Sequence, residues 1–159
     1  MFVPMTVNDF LRRAELVYPE RVAIVDEPDQ PAPSWDSIDY REMARRARAI
    51  AAGLDRLGIA VGERVAMVSH NSARLLTALF GVSGSGRILV PVNFRLVAEE
   101  VDYIVKHSGA RVLLVDPELD DALASVETLR SDAETLAEDI AKSAPLAVVS
   151  VRATLRAGL

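Results

Sequence analysis

The segment from Val90 to Leu96 carries the residues whose chemistry is easiest to interpret. Pro91 fixes the backbone near the end of an apolar run, so the side chains of Asn93 and Arg95 are expected to emerge where that strand ends. In open α/β sheets, ligands bind at this carboxyl edge. A guanidinium group presents several hydrogen-bond donors in a planar fork, which makes Arg95 the leading candidate for binding a ligand at this edge.

Both residues also have a purely structural interpretation. Arg95 could form a surface salt bridge with Glu99 or Glu100. Asn93 could orient the loop around Arg95, but an asparagine here more often bonds its own backbone in a turn, and we favour the turn.

The two histidines are weaker candidates. His70 follows a predicted strand, so it could belong to a site at the sheet edge, but helix capping or solvent exposure is the favoured interpretation. His107 is placed in the last turn of a helix, where a cation complements the helix dipole. Asp36, Asp39 and Glu42 resemble a carboxylate cluster, but a loop followed by a helix N-terminus explains them better.

The other polar residues give no indication of a catalytic or binding site. Ser83 and Ser85 have no histidine nearby in the sequence to activate them. The stretch from Gly81 to Gly86 follows a helix rather than a strand and lacks the spacing of a dinucleotide-binding loop. The remaining candidates, a set of arginines on one predicted helix, are expected to form a solvated face: Arg41, Arg45, Arg46 and Arg48.

Helices and strands alternate over residues 1–118, which predicts an α/β fold: a partial layered structure with a mainly parallel sheet flanked by helices. Continuous apolar runs, which favour burial on both faces, predict strands at 21–26, 64–69, 88–92 and 111–116. Helical spacing predicts helices at 6–17, 39–57, 72–82 and 98–107, and three prolines predict a loop at 27–37. Residues 119–159 are predicted to form an all-helical tail, with helices at 119–129, 131–143 and 146–157.

Bulk composition excludes several classes of function. The 159 residues contain 18 basic and 23 acidic side chains, a net charge of −5, which argues against nucleic-acid binding. There is no cysteine, so disulfides and thiolate metal sites are excluded, and no metal site is predicted. Met1 to Asp9 lacks the pattern of a signal peptide, and no apolar run is long enough for a transmembrane segment. We therefore expect a cytoplasmic protein.

Six pieces of sequence, in order, resemble the N-terminal subdomain of adenylate-forming fatty-acyl-CoA synthetases. They are 9–11 with 18–23, 39–54, 57–66, 69–72, 90–100 and 107–113. The resemblance implies that Arg95, in the segment Asn93-Phe94-Arg95-Leu96, approaches a phosphate of CoA, with Asn93 beside it. It also implies that the full-length family uses ATP, Mg²⁺ and CoA.

The residues with which this family handles ATP are not found in the sequence. They are a Ser/Thr/Gly-rich loop ending in Pro-Lys-Gly, an aromatic-Gly-x-Thr-Glu segment, a ribose-binding aspartate and a lysine in a C-terminal domain. Without such donors nothing holds the triphosphate. We therefore expect a truncated acyl-CoA synthetase that binds no cofactor and is inactive alone, with no catalytic residue of its own.

The tail is similar to a second family. From Asp132 to Leu155, an alanine-rich helix, a break at Pro145 and another helix resemble the C-terminal helices of enoyl-CoA hydratases of the crotonase family. The alternative is a generic pair of amphipathic helices. If the similarity holds, the chain joins parts of two CoA enzymes, as a deletion or a gene fusion would produce, and a vestigial fusion product is then one alternative function. A further alternative function is a non-catalytic interaction protein, which associates with itself or with a complementing chain through exposed apolar surface.

Overall fold

The computed structural model describes residues 5–119, 121–123 and 150–153. Helices α1 to α4 span Val7–Val17, Tyr40–Arg56, Ala73–Ala78 and Ala98–Ser108. Strands β1 to β6 span Val22–Val25, Ser37–Asp39, Arg64–Ser69, Ile88–Asn93, Val112–Val115 and Ser150–Ala153. A π-helical turn, Leu79–Ser83, continues α3, and two 3₁₀ turns, Pro117–Leu119 and Asp121–Leu123, follow β5.

The main sheet has the strand order β4-β3-β5-β6. β3 lies in its middle and pairs in parallel with β4 and β5, so that Met67 stands between Pro91 and Leu114. The side chains of alternate residues of β3 belong to two different hydrophobic clusters. Val65 and Met67 pack with Ile50 and Leu54 of α2, and the intervening residues pack with α4. The predicted α/β fold, a mainly parallel sheet flanked by helices, is confirmed.

The helices begin and end close to the predicted bounds, and local interactions fix their ends. Thr6 is the N-cap of α1 and forms a capping box with Asp9. Asp39 caps α2 by accepting a hydrogen bond from the amide of Glu42 at 2.8 Å. Gly58, which follows α2, has φ +68°, a value that favours glycine because it lacks Cβ.

The first predicted strand does not join the main sheet. β1 pairs antiparallel with β2 in a separate two-stranded sheet. The prediction of burial on both faces is wrong for this strand, because Val22 and Val25 are 57% and 78% exposed. β2, only three residues long, begins at the end of the predicted 27–37 loop and carries too short an apolar pattern to be recognised.

The prediction of an all-helical tail is wrong at residues 150–153. Helix was expected over 146–157, but Ser150–Ala153 forms β6, antiparallel to β5. The physical reason is the position of β5, a fully buried strand whose outer backbone groups need a partner. At Pro117–Leu119 and Asp121–Leu123 the chain makes 3₁₀ turns, where the 119–129 helix was predicted to begin. The rest of the predicted tail, including the 131–143 helix, lies outside the described residues.

β4 is the outermost strand on the other side of the sheet. The amide of Ile88 points toward β3, since it donates to the carbonyl of Glu63 at 2.9 Å. Donor directions alternate along a strand, so the nitrogen of Pro91, three residues later, faces the open edge. No helix in the described part of the chain is long and apolar enough to span a membrane.

Candidate functional site at the carboxyl edge of the sheet

The parallel strands β3, β4 and β5 end side by side. Ser69 at the end of β3 lies opposite Asn93 at the end of β4. On the other side, the amide of Asp116, just after β5, donates to the carbonyl of Val68 at 3.1 Å. The polar side chains that follow these strands are thereby brought to one edge, as the sequence predicted for Asn93.

Asp116 organises this edge. Its side chain is fully buried, and its Oδ2 atom accepts hydrogen bonds from the hydroxyl of Ser69 and from the amide of His70 at 3.1 Å. The carboxylate therefore fixes the turn by which the chain leaves β3. Burial raises the pKa of Asp116, because a charged carboxylate loses hydration inside the protein.

His70 sits between an aromatic ring and a carboxylate. Its ring centroid lies 4.1 Å from that of Phe94, and its Nε2 lies 3.6 Å from Oε1 of Glu118. At that separation the contact with Glu118 is electrostatic, not a hydrogen bond. The side chain of His70 is only 21% exposed, so the favoured interpretation, a capping or solvent-exposed histidine, is wrong.

Asn93 and Arg95 lie beside this cluster. Oδ1 of Asn93 accepts a hydrogen bond from the amide of Arg95 at 3.0 Å, which is the predicted turn. The exposed guanidinium of Arg95 lies 5.3 Å from the centroid of the Phe94 ring. Neither Glu99 nor Glu100 forms a salt bridge with it in the described part of the chain.

A buried arginine under this edge was missed from the sequence. Arg74, in the first turn of α3, is 1% exposed and donates to the carbonyl of Pro33, while its guanidinium lies 5.2 Å from the Trp35 ring. Its charge interacts with both Asp26 and Asp116. No sequence signal marked Arg74, because a charged residue at a helix start is normally solvated. Asp116 could have been found, since it directly follows a predicted strand.

The predicted arginine face of α2 is only partly solvated. Arg41, Arg45 and Arg48 pair with glutamates near the surface. Arg46 departs from the prediction: its side chain is only 11% exposed, although it also pairs with Glu42, and its guanidinium lies 4.0 Å from the centroid of Trp35. The salt bridge with Glu42 and the cation–π contact with Trp35 together explain why a charged group is accommodated there.

The sequence matches a known protein family. The profile of the family described as "AMP-binding enzyme" matches residues 11–155. Because the match covers most of the sequence, the chain belongs to the AMP-binding enzyme family.

Within this family, the chain is similar to fatty-acid–CoA ligases. Over 97 residues the chain is 42% identical to a long-chain-fatty-acid–CoA ligase of Thermus thermophilus, and over 105 residues 36% identical to the long-chain-fatty-acid–CoA ligase FadD13 of Mycobacterium tuberculosis. These alignments cover 61% and 65% of this chain but only 17% and 20% of the relatives. The chain thus spans about a fifth of the curated ligases it matches.

Solved structures of related ligases have a fold similar to that of this chain. The crystal structure of the N-terminal domain of FACL13 from Mycobacterium tuberculosis superimposes with a TM-score of 0.73 at 29% identity, covering 92% of this chain and 38% of that one. A structure described as a putative long-chain-fatty-acid CoA ligase from Rhodopseudomonas palustris gives 0.67 at 30% identity, covering 77% and 29%.

The residues at the carboxyl edge do not by themselves fit ATP and Mg²⁺. The buried groups facing the edge include the carboxyl groups of Asp116 and Glu118, which repel a triphosphate, and Arg74 is buried beneath it. Among the described residues, no three acidic or histidine side chains are grouped to hold a metal ion. The exposed guanidinium of Arg95, in contrast, fits a single phosphate contact of the kind that CoA offers.

Proposed function

We propose that this chain is the N-terminal part of an ATP-dependent fatty-acid–CoA ligase. In that reaction a carboxylate attacks ATP to give an acyl-AMP and pyrophosphate, and the thiol of CoA then displaces AMP. The match to the AMP-binding family over residues 11–155 carries the proposal. The Thermus and Mycobacterium relatives are named as long-chain-fatty-acid–CoA ligases, and this supports the choice of a fatty acid as substrate.

These 159 residues alone are proposed not to catalyse the reaction. The sequence contains no Pro-Lys-Gly loop, and the described carboxyl edge offers carboxylates where a triphosphate needs donors. ATP, Mg²⁺ and CoA are therefore assigned to the complete ligase and not to this chain by itself. A cytoplasmic location stays a prediction.

Arg95 is proposed to contact a phosphate of CoA in the complete ligase. Three observations support this role: the side chain is exposed, it has no carboxylate partner among the described residues, and its loop is fixed by the hydrogen bond from its amide to Asn93. Asn93 acts by holding that turn. Its contribution is to position Arg95, and it need not touch CoA.

A chimera tests both proposals. Residues 1–118 would replace the aligned region of the Thermus thermophilus ligase, and thioester formation from a fatty acid, ATP and CoA would be measured. We expect an active chimera and no turnover by the 159-residue chain. Arg95→Ala in the chimera should raise KM for CoA, with kcat and KM for ATP little changed. The control is Arg13→Ala, an exposed arginine on α1.

Turnover by the 159 residues alone would refute the inactivity proposal. An inactive but folded chimera would contradict the ligase assignment, and an unchanged KM for CoA in Arg95→Ala would remove the role of Arg95 only.

An exposed apolar surface supports a second candidate, an interaction with a complementing chain. We call it the leucine groove, a depression of 350 Å³ lined mainly by Leu75, Leu76, Leu79, Leu89 and Pro91. Leu76 and Leu79 are 40% and 39% exposed although they belong to α3 and its π-helical extension. Apolar surface of this kind marks sites of protein contact.

Co-purification would test that candidate. The C-terminal part of the Thermus ligase, supplied as a separate chain, should bind the 159-residue chain, and Leu79→Glu should abolish binding. Val61→Glu, at a residue that is 74% exposed and outside the groove, is the control. Self-association of the chain in light scattering, with no heterologous complex, would contradict a complementing partner and indicate an oligomerising protein.

The similarity of the tail to enoyl-CoA hydratases stays a prediction, as does the boundary between residues 118 and 119. The AMP-binding profile extends to residue 155, and β6 lies within the region where the third tail helix, 146–157, was predicted. The proposed function therefore rests on the family match and not on the similarity to enoyl-CoA hydratases. Backbone chemical shifts of residues 132–143 would test the tail, because the crotonase-like interpretation requires helix there.

A further inference from the structure

A cavity of 440 Å³ lies between α1, α2 and the π-helical turn. Its volume falls in the range of small-molecule sites. The lining residues Phe80, Gly81 and Gly84 lie in or just after the π-helical turn, whereas α3 begins next to His70. The cavity is therefore at the opposite end of this helix from the carboxyl edge, and it is separate from the leucine groove.

Small residues create the space. A Cβ on Gly81 would lie 2.8 Å from Cβ of Ile50 and 2.9 Å from the carbonyl oxygen of Ala47, so glycine allows the π-helical turn to pack directly on α2. Ala47 and Ala51 add little side-chain volume above that contact, and Leu11 closes the space from α1. The interior of the cavity is therefore mainly apolar, and the packing of the π-helical turn on α2 fixes its floor.

The rim of the cavity is charged. Arg48 donates from both of its terminal nitrogens to Glu15, at 2.8 and 2.9 Å, and this bidentate pair ties α2 to α1. The hydrogen bond from Arg48 holds the pKa of Glu15 below its usual range. Arg12, also on the rim, is exposed and forms no salt bridge with a described residue, although its charge interacts with that of Asp9, which lies outside the cavity lining. The carboxylate of Asp9 accepts hydrogen bonds from Thr6, so an apolar interior with Arg12 at its mouth is complementary to an amphipathic anion.

We propose that this cavity binds a small amphipathic carboxylate, with its apolar chain on the alanine and glycine floor and its carboxylate paired with Arg12. Glu15 and Arg48 neutralise each other and set the width of the site. The site requires neither ATP nor CoA and does not depend on the proposed ligase function.

Calorimetric titration of the 159-residue chain with three matched probes tests the charge preference. Octanoate should bind more tightly than octan-1-ol, and octylammonium should bind most weakly. Arg12→Gln should weaken octanoate binding about two- to fivefold, the size of one exposed ion pair, and leave octan-1-ol unchanged. Arg13→Gln removes the same charge from the same helix at an exposed residue outside the cavity lining, and should have no effect.

A second pair of variants tests the location. Ala51→Phe fills the cavity and should abolish octanoate binding, whereas Ala52→Phe, at the exposed neighbouring residue, should not. Amide chemical shifts in the wild-type chain provide a readout that does not depend on a folded variant: octanoate should move the resonances of Gly81 and Gly84.

Equal affinity for the three probes, unchanged binding by Ala51→Phe, or shifts centred on Leu76 and Leu79 would each overturn the proposal. All three outcomes leave the ligase assignment unaffected.

Discussion

Oδ1 of Asp26 accepts a hydrogen bond from the amide of Ala73, 47 residues later in the chain, at 2.8 Å. Ala73 is the first residue of α3, and Ser72, in the N-cap position, makes no capping hydrogen bond with its side chain. Oδ2 of Asp26 accepts hydrogen bonds from the amide of Trp35 at 3.0 Å and from Gln30 at 2.7 Å. A single buried carboxylate thus joins the two-stranded sheet to a helix of the main sheet.

Removing this carboxylate should weaken the whole fold. Asp26→Ala leaves the amides of Ala73 and Trp35 without acceptors, and we expect the free energy of unfolding to fall by about 1–3 kcal/mol. Urea denaturation followed by Trp35 fluorescence measures the loss. Asp29→Ala removes an exposed carboxylate from the same loop and should change stability by less than about 0.5 kcal/mol. Equal effects of the two variants would mean that Asp26 does not cap α3.

Arg87 is predicted to stabilise the return from the π-helical turn to β4. Its guanidinium donates to the carbonyl of Ile59 from two nitrogens, at 3.0 and 2.6 Å, to Ser85 Oγ at 3.0 Å, and to Asp55. Arg87→Lys cannot reproduce this planar fork, so a loss of about 1–3 kcal/mol is expected in urea denaturation. The matched change Arg56→Lys, at an exposed residue, should be nearly neutral; a neutral Arg87→Lys would contradict the prediction.

Glu42 should make the fold sensitive to acid. The hydrogen bonds from Arg45 and Arg46 lower the pKa of Glu42 from 4.5 to about 2, against burial, which raises it. The ionised form is thus favoured in the folded state. Its contribution is complete above pH 4.5 and is lost as pH falls toward 2. Because Arg45 is 43% exposed, solvent screening limits the effect to about 1 kcal/mol.

Denaturation of the wild type and of Glu42→Gln at pH 7 and at pH 2.5 checks this sign. The stability advantage of the wild type should shrink at the lower pH. Glu20→Gln is the control, since it removes a carboxylate that is 81% exposed and lies 3.4 Å from Arg41. The stability of this variant should differ little from that of the wild type at both pH values. An advantage that is independent of pH would refute the role of Glu42.

Asp116 is expected to act in the opposite direction. Burial raises its pKa above 3.8, so the folded chain holds this proton more tightly than the unfolded chain does. The stability that protonation adds is complete below pH 3.8 and is lost as pH rises through the folded-state pKa. Compared with Asp116→Asn, the wild type should therefore be relatively more stable at pH 4 than at pH 7.

Chemical denaturation at the two pH values measures this difference directly. Asp29→Asn, at an exposed residue, serves as the control for the change of charge. A wild-type advantage that grows from pH 4 to pH 7 would have the wrong sign and would show that Asp116 is stabilised in its charged form.

Features that depend on residues close together in the sequence could be predicted, whereas features that depend on contacts between distant residues could not. The helix N-terminus at Asp39 and the turn at Asn93 depend on residues two or three positions apart, and sequence pattern predicted both. The contact of Asp26 with Ala73 depends on tertiary packing that no local pattern encodes. The same holds for β6, whose strand structure comes from the buried edge of β5 that it covers. At the candidate site, chain position identified Asn93, whereas the burial of Arg74 needed the structure.

The orientation of Pro91 bears on how molecules of this protein behave when crowded together. An outer strand with a complete row of amide donors can recruit strands from its neighbours and seed fibrils. Here the ring nitrogen of Pro91 interrupts that row in the middle of β4, so a strand that added to this edge would lack one hydrogen bond of the ladder. Concentrated samples should therefore resist amyloid-type ordering from this side.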